Sequence, residues 1–342
     1  RQSARRQDAL ATLHSFLEHR GASYQSEMSS PVTAATACSR LSVPLAYGTI
    51  SMREVVQATE ARVEELREAR RNKHPIAYKL GSLRAFLARL HWHCHFMQKL
   101  ESEPRVEFRA FIPELDQLRT AEETALPVAE KTKRLRAWTD GLTGYPFIDA
   151  CMRSLGATGW INFRMRAMLM SFASYDLWLP WRETGMVLAR RFTDYEPGIH
   201  WPQVQMQSGT TGINTLRMYS PVKQSQDQDP RGLFIREWVP ELAAVSDDFI
   251  HEPWLMPTVV QSDSRCVVGR DYPRPIVDHK EAVKQARGHF SELRKRHHLR
   301  DKAKQVFARH GSRKRPGTQI VDPRWFERKQ HPNDQLELHG LG

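Results

Sequence analysis

The chain has no pair of cysteines spaced C-x-x-C. Its four cysteines, Cys38, Cys94, Cys151 and Cys266, stand far apart, which argues against a zinc ribbon and supplies no disulfide framework. An iron–sulfur cluster would need these distant thiols to converge, and separated buried thiols are the commoner arrangement. A reducing compartment is the simpler expectation, so the protein is expected to be cytoplasmic, bacterial or otherwise soluble and intracellular. No apolar run approaches the roughly eighteen residues of a membrane span, and the opening Arg1-Gln-Ser-Ala-Arg-Arg6 lacks the hydrophobic stretch of a secretory signal. Alternating apolar and polar stretches are nearly absent, and there is no internal repeat.

What is present is a chain of 342 residues, 40% hydrophobic, able to bury a large core as one large domain or two ordinary ones. Leu10, Leu13, Phe16 and Leu17 form one helical stripe and Leu83, Phe86, Leu87 and Leu90 another. The architecture therefore reads as mainly α. Boundaries fall at Ser30-Pro31, His74-Pro75, Gly144-Tyr-Pro146 and Asp229-Pro230, with loops expected at 209–212 and 225–230 and an extended connector from Tyr272 to Asp278. The formal charge of +12 is concentrated: Lys284 to Lys329 holds 15 Lys/Arg against 4 Asp/Glu, or +11. That segment suits a polyanion, or is simply a solvated helix and tail, and it says little about the near-neutral body. The expected division is a helical body over 1–280, a basic C-terminal helix over 281–310 and a weakly ordered polar tail over 311–342.

The stretch from Trp138 to Pro221 carries the chemistry. Arg164 and Arg166, spaced i, i+2, cannot share one helical stripe, so one of them needs an acidic partner or a phosphate. Asp194 and Glu196 follow, after a turn expected at Trp181-Arg-Glu-Thr-Gly185. The combination suggests a large polar ligand among helices. Upstream, Cys38-Ser-Arg-Leu-Ser42 places hydroxyls at the start of an apolar helix, suited to a phosphate or to ordinary capping by Ser39 or Ser42. Phe86-Leu-Ala-Arg89-Leu-His91-Trp92-His93-Cys-His95 sets three histidines around a tryptophan. His91 and His95 are i, i+4, but no Glu lies between them in the H-E-x-x-H manner and no third ligand is evident, so no metal is expected. Trp92 suits ring stacking or a groove near phosphates, or a partly buried core.

In this order the motifs resemble those of the FAD-binding helical domain of the photolyase and cryptochrome superfamily, from about Tyr24 to His279. Cys38-Ser-Arg-Leu-Ser42 is similar to the family's Thr-Ser-x-Leu-Ser, and Leu90-His-Trp92-His93 to Leu-x-Trp-Arg. Thr143-Gly-Tyr-Pro-Phe-Ile-Asp149-Ala-Cys-Met-Arg153 resembles Thr-Gly-x-Pro-x-x-Asp-Ala-x-Met-Arg. Thr158-Gly-Trp-Ile-Asn162-Phe-Arg164-Met-Arg166 resembles Thr-Gly-x-x-His-Asn-Arg-x-Arg, Asp194-Tyr-Glu196 resembles Asp-x-Asp, and Phe234-Ile-Arg-Glu-Trp238-Val-Pro-Glu-Leu242 resembles Ile-Arg-x-Trp-x-Pro-Glu-Leu. The resemblance implies FAD. Tyr24, Cys38, Ser39, Arg40, Leu41 and Ser42 would hold its phosphates, and Arg166 would pair with Asp194. Asp194, Tyr195 and Glu196 would meet the ribose, adenine or isoalloxazine edge, with Phe86, His93, Asn162 and His200 also lining the cofactor. Arg89, Trp92, Arg164 and Met206 would face nucleic acid, while Trp181 would relay electrons, with Trp92 and His200 on the catalytic side. The implied activity is blue-light repair of UV lesions in DNA. The alternative is a photoreceptor signalling through a protein partner without repair; neither involves a membrane.

Several positions depart from the pattern. Arg89 stands where photolyases acting on cyclobutane dimers have a glutamate, His93 where the family has Arg, Phe163 where it has Asn, and His200 where it has the Asn near flavin N5, a protonatable group in a sensitive place. Val204 stands at the flavin-proximal tryptophan and Met206 at the substrate-side one, so Trp201, Trp178 or Trp160 would reroute the electron or serve as core aromatics. The family's amino-terminal α/β antenna domain is not in these residues, and a start without Met that enters directly on a helix leads to the expectation of a fragment.

Overall fold

The apolar stripes of the sequence become helices that stack around three cores. The structure, a computed structural model, describes residues 2–75, 77–120, 126–212, 216–294 and 297–310; the tail expected over 311–342 lies outside the described residues. Sixteen α-helices follow one another among them: α1 (Arg6–Glu18), α2 (Tyr24–Glu27), α3 (Pro31–Ala37), α4 (Ser42–Ala46), α5 (Met52–Arg71), α6 (Leu80–Ser102), α7 (Val128–Asp140), α8 (Pro146–Thr158), α9 (Phe163–Ser171), α10 (Trp181–Arg191), α11 (Pro197–Ser208), α12 (Pro221–Gln228), α13 (Leu233–Trp238), α14 (Thr258–Asp263), α15 (His279–Arg294) and α16 (His297–His310). Among the described residues β structure is limited to a single isolated bridge, Val268 to Tyr272, and the fold is mainly α.

The first core joins α1, α5 and α6. Leu13, Phe16 and Leu17 meet Val55, Val63 and Leu66 on one side and Leu83, Phe86 and Leu90 on the other. Leu10 was expected in this stripe but is 42% exposed. Ala9 is buried instead, which centres the stripe between Leu13 and Phe16 and leaves Leu10 at its rim. The second core is built on α8 and α9, whose Ile148, Cys151, Met152, Leu155, Met165, Met168 and Leu169 are buried, with α10 and α11 adding Trp181, Leu188, Trp201 and Val204. Helices apolar on most faces are helices wrapped by others. Trp181 opens α10 directly after Pro180, where a turn was expected. The third core seats Ala286, Phe290 and Leu293 of α15 and Leu299 and Ala303 of α16 against Ile112, Leu115 and Tyr175. The basic stretch 281–310 is thus divided between two helices.

A composition of Ser, Gln and Asp suggested a loop over 225–230, yet residues 221–228 are helical. Ser220 caps α12 by accepting from Lys223 N, and Pro221 occupies its first position, a start that overrides the weak helix propensity of the residues after it.

The turn between α7 and α8 shows how the Thr143 to Asp149 motif works. The carboxylate of Asp149, in the first turn of α8, accepts from Thr143 N (2.8 Å), Thr143 Oγ1 (2.6 Å), Gly144 N (3.1 Å) and Tyr272 Oη (2.6 Å). Burial raises its pKa to about 6 although these donors pull it down. The connector after Tyr272 lies directly on this turn, with Ile276 N donating to Thr143 O at 2.9 Å. Gly144 sits at φ +78, and a Cβ there would stand 2.3 Å from Arg274 O, so the connector can pass only over glycine.

Asp149→Ala leaves two backbone N–H groups and a tyrosine hydroxyl buried without an acceptor, and is expected to cost about 3–5 kcal/mol. Urea unfolding of the two proteins measures this; a loss below about 1 kcal/mol would show that the network is not what fixes the turn.

Candidate functional site

The loop Cys38 to Ser42, between α3 and α4, is shaped by an arginine eighteen residues upstream in sequence. Arg20 donates Nη1 to the carbonyls of Thr36 and Cys38 (both 2.7 Å), Nη2 to those of Thr12 (3.0 Å) and Ser39 (3.2 Å), and Nε to Ser15 Oγ (3.0 Å). Leu41, buried in the first core, plugs the loop from below. Ser39 Oγ accepts from Leu41 N at 3.4 Å, a local turn bond and not a helix cap. α4 has only five residues, so the helix start expected to attract phosphate is a single turn with little dipole; the loop is the feature. Held at both ends, Arg40 takes φ +63, and its guanidinium carbon lies 3.7 Å from the centroid of the Trp160 ring. Ser42 Oγ is buried with no hydrogen-bond partner.

Across from this loop, the two arginines of α9 divide as the helical period requires. Arg166 Nη2 lies 2.7 Å from Asp194 Oδ2, its Nε donates to Ile161 O at 2.7 Å, and its guanidinium stacks 4.1 Å over Phe192. Arg164 points elsewhere, its Nε buried and without a partner. The Asp194 side chain is 2% exposed, and its Oδ1 is unpaired, as is Oδ1 of buried Asn162. Asn162 Nδ2 donates to Met28 O (3.1 Å) and Ser29 O (2.6 Å), tying the second core to the first. Arg40, Arg20 and Arg166 all bear on Cys38, whose thiol is pushed up to about 11 by burial against their pull. Arg40 also lies in the field of Asp194. The seam thus gathers three guanidinium groups about Cys38, two of which, Arg166 and Arg40, also meet the charge of Asp194.

The start of α11 adds a second set. Glu196 Oε2 and His93 Nε2 are 3.0 Å apart, bridging α11 to α6, and His93 Nδ1 has no partner. His200 Nε2 donates to Gly185 O at 2.9 Å, and its ring meets Trp201, Tyr195 and Phe192 edge-on. Burial pushes its pKa down to about 4, with Arg166 acting in the same direction. His200 thus favours the neutral imidazole, with its Nε2–H given to the backbone.

The aromatic path also becomes definite. The Trp181 and Trp201 rings lie edge to face at 6.0 Å, and Trp201 Nε1 donates to Tyr195 Oη at 3.0 Å, so buried rings run from α10 to the Asp194-Tyr195-Glu196 triplet. Trp178 instead stacks on His289 at 4.6 Å, and Trp160 on Arg40. Tyr24 has its ring packed edge-on to Phe16 and Phe86 in the first core. Its pKa is raised to about 12 by burial, with Cys38 near its hydroxyl and Arg89 pulling the other way. Phe86, 3% exposed, is a pillar of that core beneath the loop. Arg89 is exposed, while Trp92, half-buried, packs on His95 and Phe96; Met206 is half-buried on α11. Among the described residues no three His, Cys, Asp or Glu side chains converge as a metal site.

Two surface depressions, of about 430 and 530 Å³, lie away from the Arg40–Arg166–Asp194 cluster, one along α7 and the other around Phe108, Trp181 and Arg182. The candidate site is marked by its unpaired buried polar atoms. Arg20, Trp160 as the seat of Arg40, and Gly185 are its parts that sequence reasoning did not place; the positive φ of Arg40 leaves no signal in the sequence.

Comparison with known proteins is concordant. The profile of the family described as FAD binding domain of DNA photolyase matches residues 86–292. The deoxyribodipyrimidine photo-lyase of Escherichia coli (strain K12) is 31% identical over 291 residues, covering 84% of this chain and 56% of that protein. The crystal structure of a bacterial class III photolyase from Agrobacterium tumefaciens superposes with a TM-score of 0.74 at 26% identity, covering 85% of this chain and 56% of that one. A cryptochrome from Synechocystis sp. PCC6803 superposes with a TM-score of 0.71 at 27% identity, covering 83% and 55%. The chain thus spans about half the length of these relatives. The cofactor of this domain is FAD, and the residues present fit it. Arg40 and Arg166 suit a pyrophosphate, Asp194 Oδ1 and Asn162 Oδ1 stand ready to accept from hydroxyl or ring N–H groups, and Ser42 Oγ can donate.

The depressed pKa of His200 gives a signed prediction. The unfolded chain takes up a proton near pH 6.5 and the folded one only near 4, so stability is complete above about 6.5 and is lost as pH falls toward 4, by up to about 3 kcal/mol. His200→Asn, which keeps a donor for Gly185 O, is expected to remove that part of the acid sensitivity in denaturant titrations at pH 7 and 4.5. An unchanged pH dependence would show that His200 is not buried as a neutral ring.

Proposed function

This chain belongs to the family of the FAD binding domain of DNA photolyase, and from that premise we propose a blue-light flavoprotein that repairs pyrimidine photoproducts in DNA by light-driven electron transfer. The observation that carries the reading is the Arg166–Asp194 pair, buried with an unpaired carboxylate oxygen and flanked by Arg40, at the end of a continuous path of aromatic rings. FAD when bound supplies the light absorption and the one-electron chemistry, and the protein supplies position and electrostatics.

The chain's own groups divide the work. Arg40 and Arg166 offset phosphate charge, with Tyr24, Cys38, Ser39, Leu41, Ser42 and Phe86 forming and supporting the loop. Asp194, Tyr195, Glu196, Asn162 and His93 hold the sugar and ring edges. His200 contributes a neutral edge that holds no proton for donation other than the one given to Gly185 O. Trp181 and Trp201 pass electrons inward, with Tyr195 receiving the Trp201 N–H. Arg89, Trp92, Arg164 and Met206 face the nucleic acid, and the basic C-terminal region adds attraction for its phosphates. In base-flipping enzymes, photolyases among them, the damaged base leaves the stack for a pocket, and in this reading Trp92 supplies the surface on which such a base stacks. A cytoplasmic setting suits the free cysteines.

A second reading, a cryptochrome-type receptor that signals through a protein partner, is favoured by one specific observation. Arg89 stands where cyclobutane-dimer photolyases carry a glutamate, and its charge is drawn to the Tyr24 hydroxyl. Illuminating the flavin-loaded protein with thymine-dimer DNA under reducing conditions decides: loss of dimers supports repair, and binding without loss moves the assignment to the receptor. For the relay, Trp181→Phe and Trp201→Phe are each expected to slow photoreduction of bound FAD by about tenfold or more, and Trp178→Phe to leave it unchanged. Equal rates in all three would remove the path.

A further inference from the structure

The depression of about 530 Å³ beside α10 opens onto the Trp181 ring, the outer member of the Trp181–Trp201 pair. Trp181 is only 2% exposed, so a molecule in solvent meets this ring from the depression. The lining joins apolar and cationic groups. Arg182, Met186 and Arg190 stand at i, i+4 and i+8 and therefore share one face of α10. Arg182 lays its guanidinium 5.5 Å from the centroid of the exposed Phe108 ring and uses only Nε, donating to Glu107 O at 3.3 Å. Among the described residues neither Arg182 nor Arg190 forms an ion pair. The two acids of the lining are already engaged: Asp116 accepts from Ala110 N and from Arg109 Nη1 (3.3 Å), and Glu183 accepts from Lys131 Nζ (2.5 Å). What is left is an apolar surface with two uncompensated guanidinium groups at its edge, directly over a buried indole. That combination suits a small, planar, anionic molecule.

We propose that this depression docks a small anionic reductant of the enediol class, which returns an electron to Trp181. The proposal rests on the relay reading above and adds the source of the relay's electrons. Once light has drawn an electron inward from Trp181, its indole is left as a radical cation. The docked enediol monoanion gives it one electron and restores the neutral indole. The donor becomes a radical anion and releases its proton to solvent, and no bond to the protein forms or breaks. Arg182 and Arg190 hold the anion, and Phe108 offers a face to its plane. A neutral donor gains nothing from the two arginines, so the site selects by charge.

The test uses the full 342-residue chain with ascorbate as the probe. In the flavin-free chain ascorbate is expected to shift the Trp181 indole N–H resonance, identified by its loss in Trp181→Phe, in a saturable way that weakens as salt is raised. In the FAD-loaded chain, flash photolysis follows the decay of oxidised tryptophan. Its rate is expected to saturate with ascorbate. At low ascorbate it is expected to fall about threefold or more in the Arg182→Gln/Arg190→Gln double variant and to fall in Phe108→Ala. With dithiothreitol, uncharged at neutral pH, the double variant is expected to match the parent. A rate linear in ascorbate without a resonance shift would make the donor a collisional one and overturn the site. Equal losses with ascorbate and dithiothreitol would make the two arginines structural and overturn it as well. The absence of oxidised tryptophan after the flash, with FAD bound, would sink the relay reading and the electron step with it, an outcome told apart by the binding measurement on the flavin-free chain.

Discussion

Three guanidinium groups gather about Cys38 where the two larger cores meet, with the one buried carboxylate of Asp194 paired to Arg166 and in the field of Arg40, and this excess of positive charge governs the rest of the site. Charges removed from water require partners. Arg20 meets the demand with backbone carbonyls, Arg166 with Asp194 and Ile161 O, and Arg40 only with an aromatic face. Asp194 meanwhile keeps one oxygen unpaired, as do Asn162 and Ser42. A site with positive charge in excess and acceptors unused is completed by a ligand that is anionic at one place and carries donors at another. A flavin dinucleotide has both, in its pyrophosphate and in its sugar, ribityl and ring groups.

The site's geometry is only as firm as the seam on which it lies. The loop at 38–42 belongs to the first core, and α9 with the 194–200 segment to the second, so their spacing depends on the bonds that cross between them. Asn162 reaches Met28 and Ser29, Ser30 Oγ donates to Gln228 O, and His93 meets Glu196. These are mostly bonds to backbone carbonyls, which set position without adding charge. The polar crossing also explains why Asn162 serves where the family motif has His: its amide donates to two carbonyls at once, which a single imidazole N–H would not.

Much of this was legible in the sequence, and the parts that were not have identifiable reasons. The stripes of α1 and α6 follow from periodicity, and the Arg166–Asp194 pair follows from a buried arginine's need for an acid together with the order of the motifs. The loop at 38–42 was legible as a motif but not as a shape, because Arg20 and Gln2, which impose it, are remote in sequence and carry no local pattern. The downward shift of His200 left no sequence signal for a similar reason: a histidine's pKa is set by burial, and that burial comes with Phe192, Tyr195 and Trp201 packing on it after folding. The residues of α12 look like a loop by composition and form a helix because Ser220 and Pro221 start one. Of the three tryptophans named as possible detours or core aromatics, Trp201 is the one that packs on Trp181 among the described residues, and the meeting of α10 and α11 that brings them together has no local sequence pattern.

That packing turns on Gly185. A Cβ there would stand 2.6 Å from the Trp201 ring and 3.1 Å from Val204, so only glycine lets the indole lie against α10, where it meets Trp181. Val204 at the position of the usual proximal tryptophan therefore does not by itself interrupt the aromatic path. A second large ring at 204 would compete with Trp201 for the space over Gly185, so a valine at 204 and an indole at 201 are a consistent pair. The carbonyl of the same residue accepts from His200 Nε2, which fixes the ring edge beside Trp201. One glycine on α10 thus sets the placement of Trp201 through the absence of a side chain and the tautomer of His200 through its backbone, and changes at either position are constrained together.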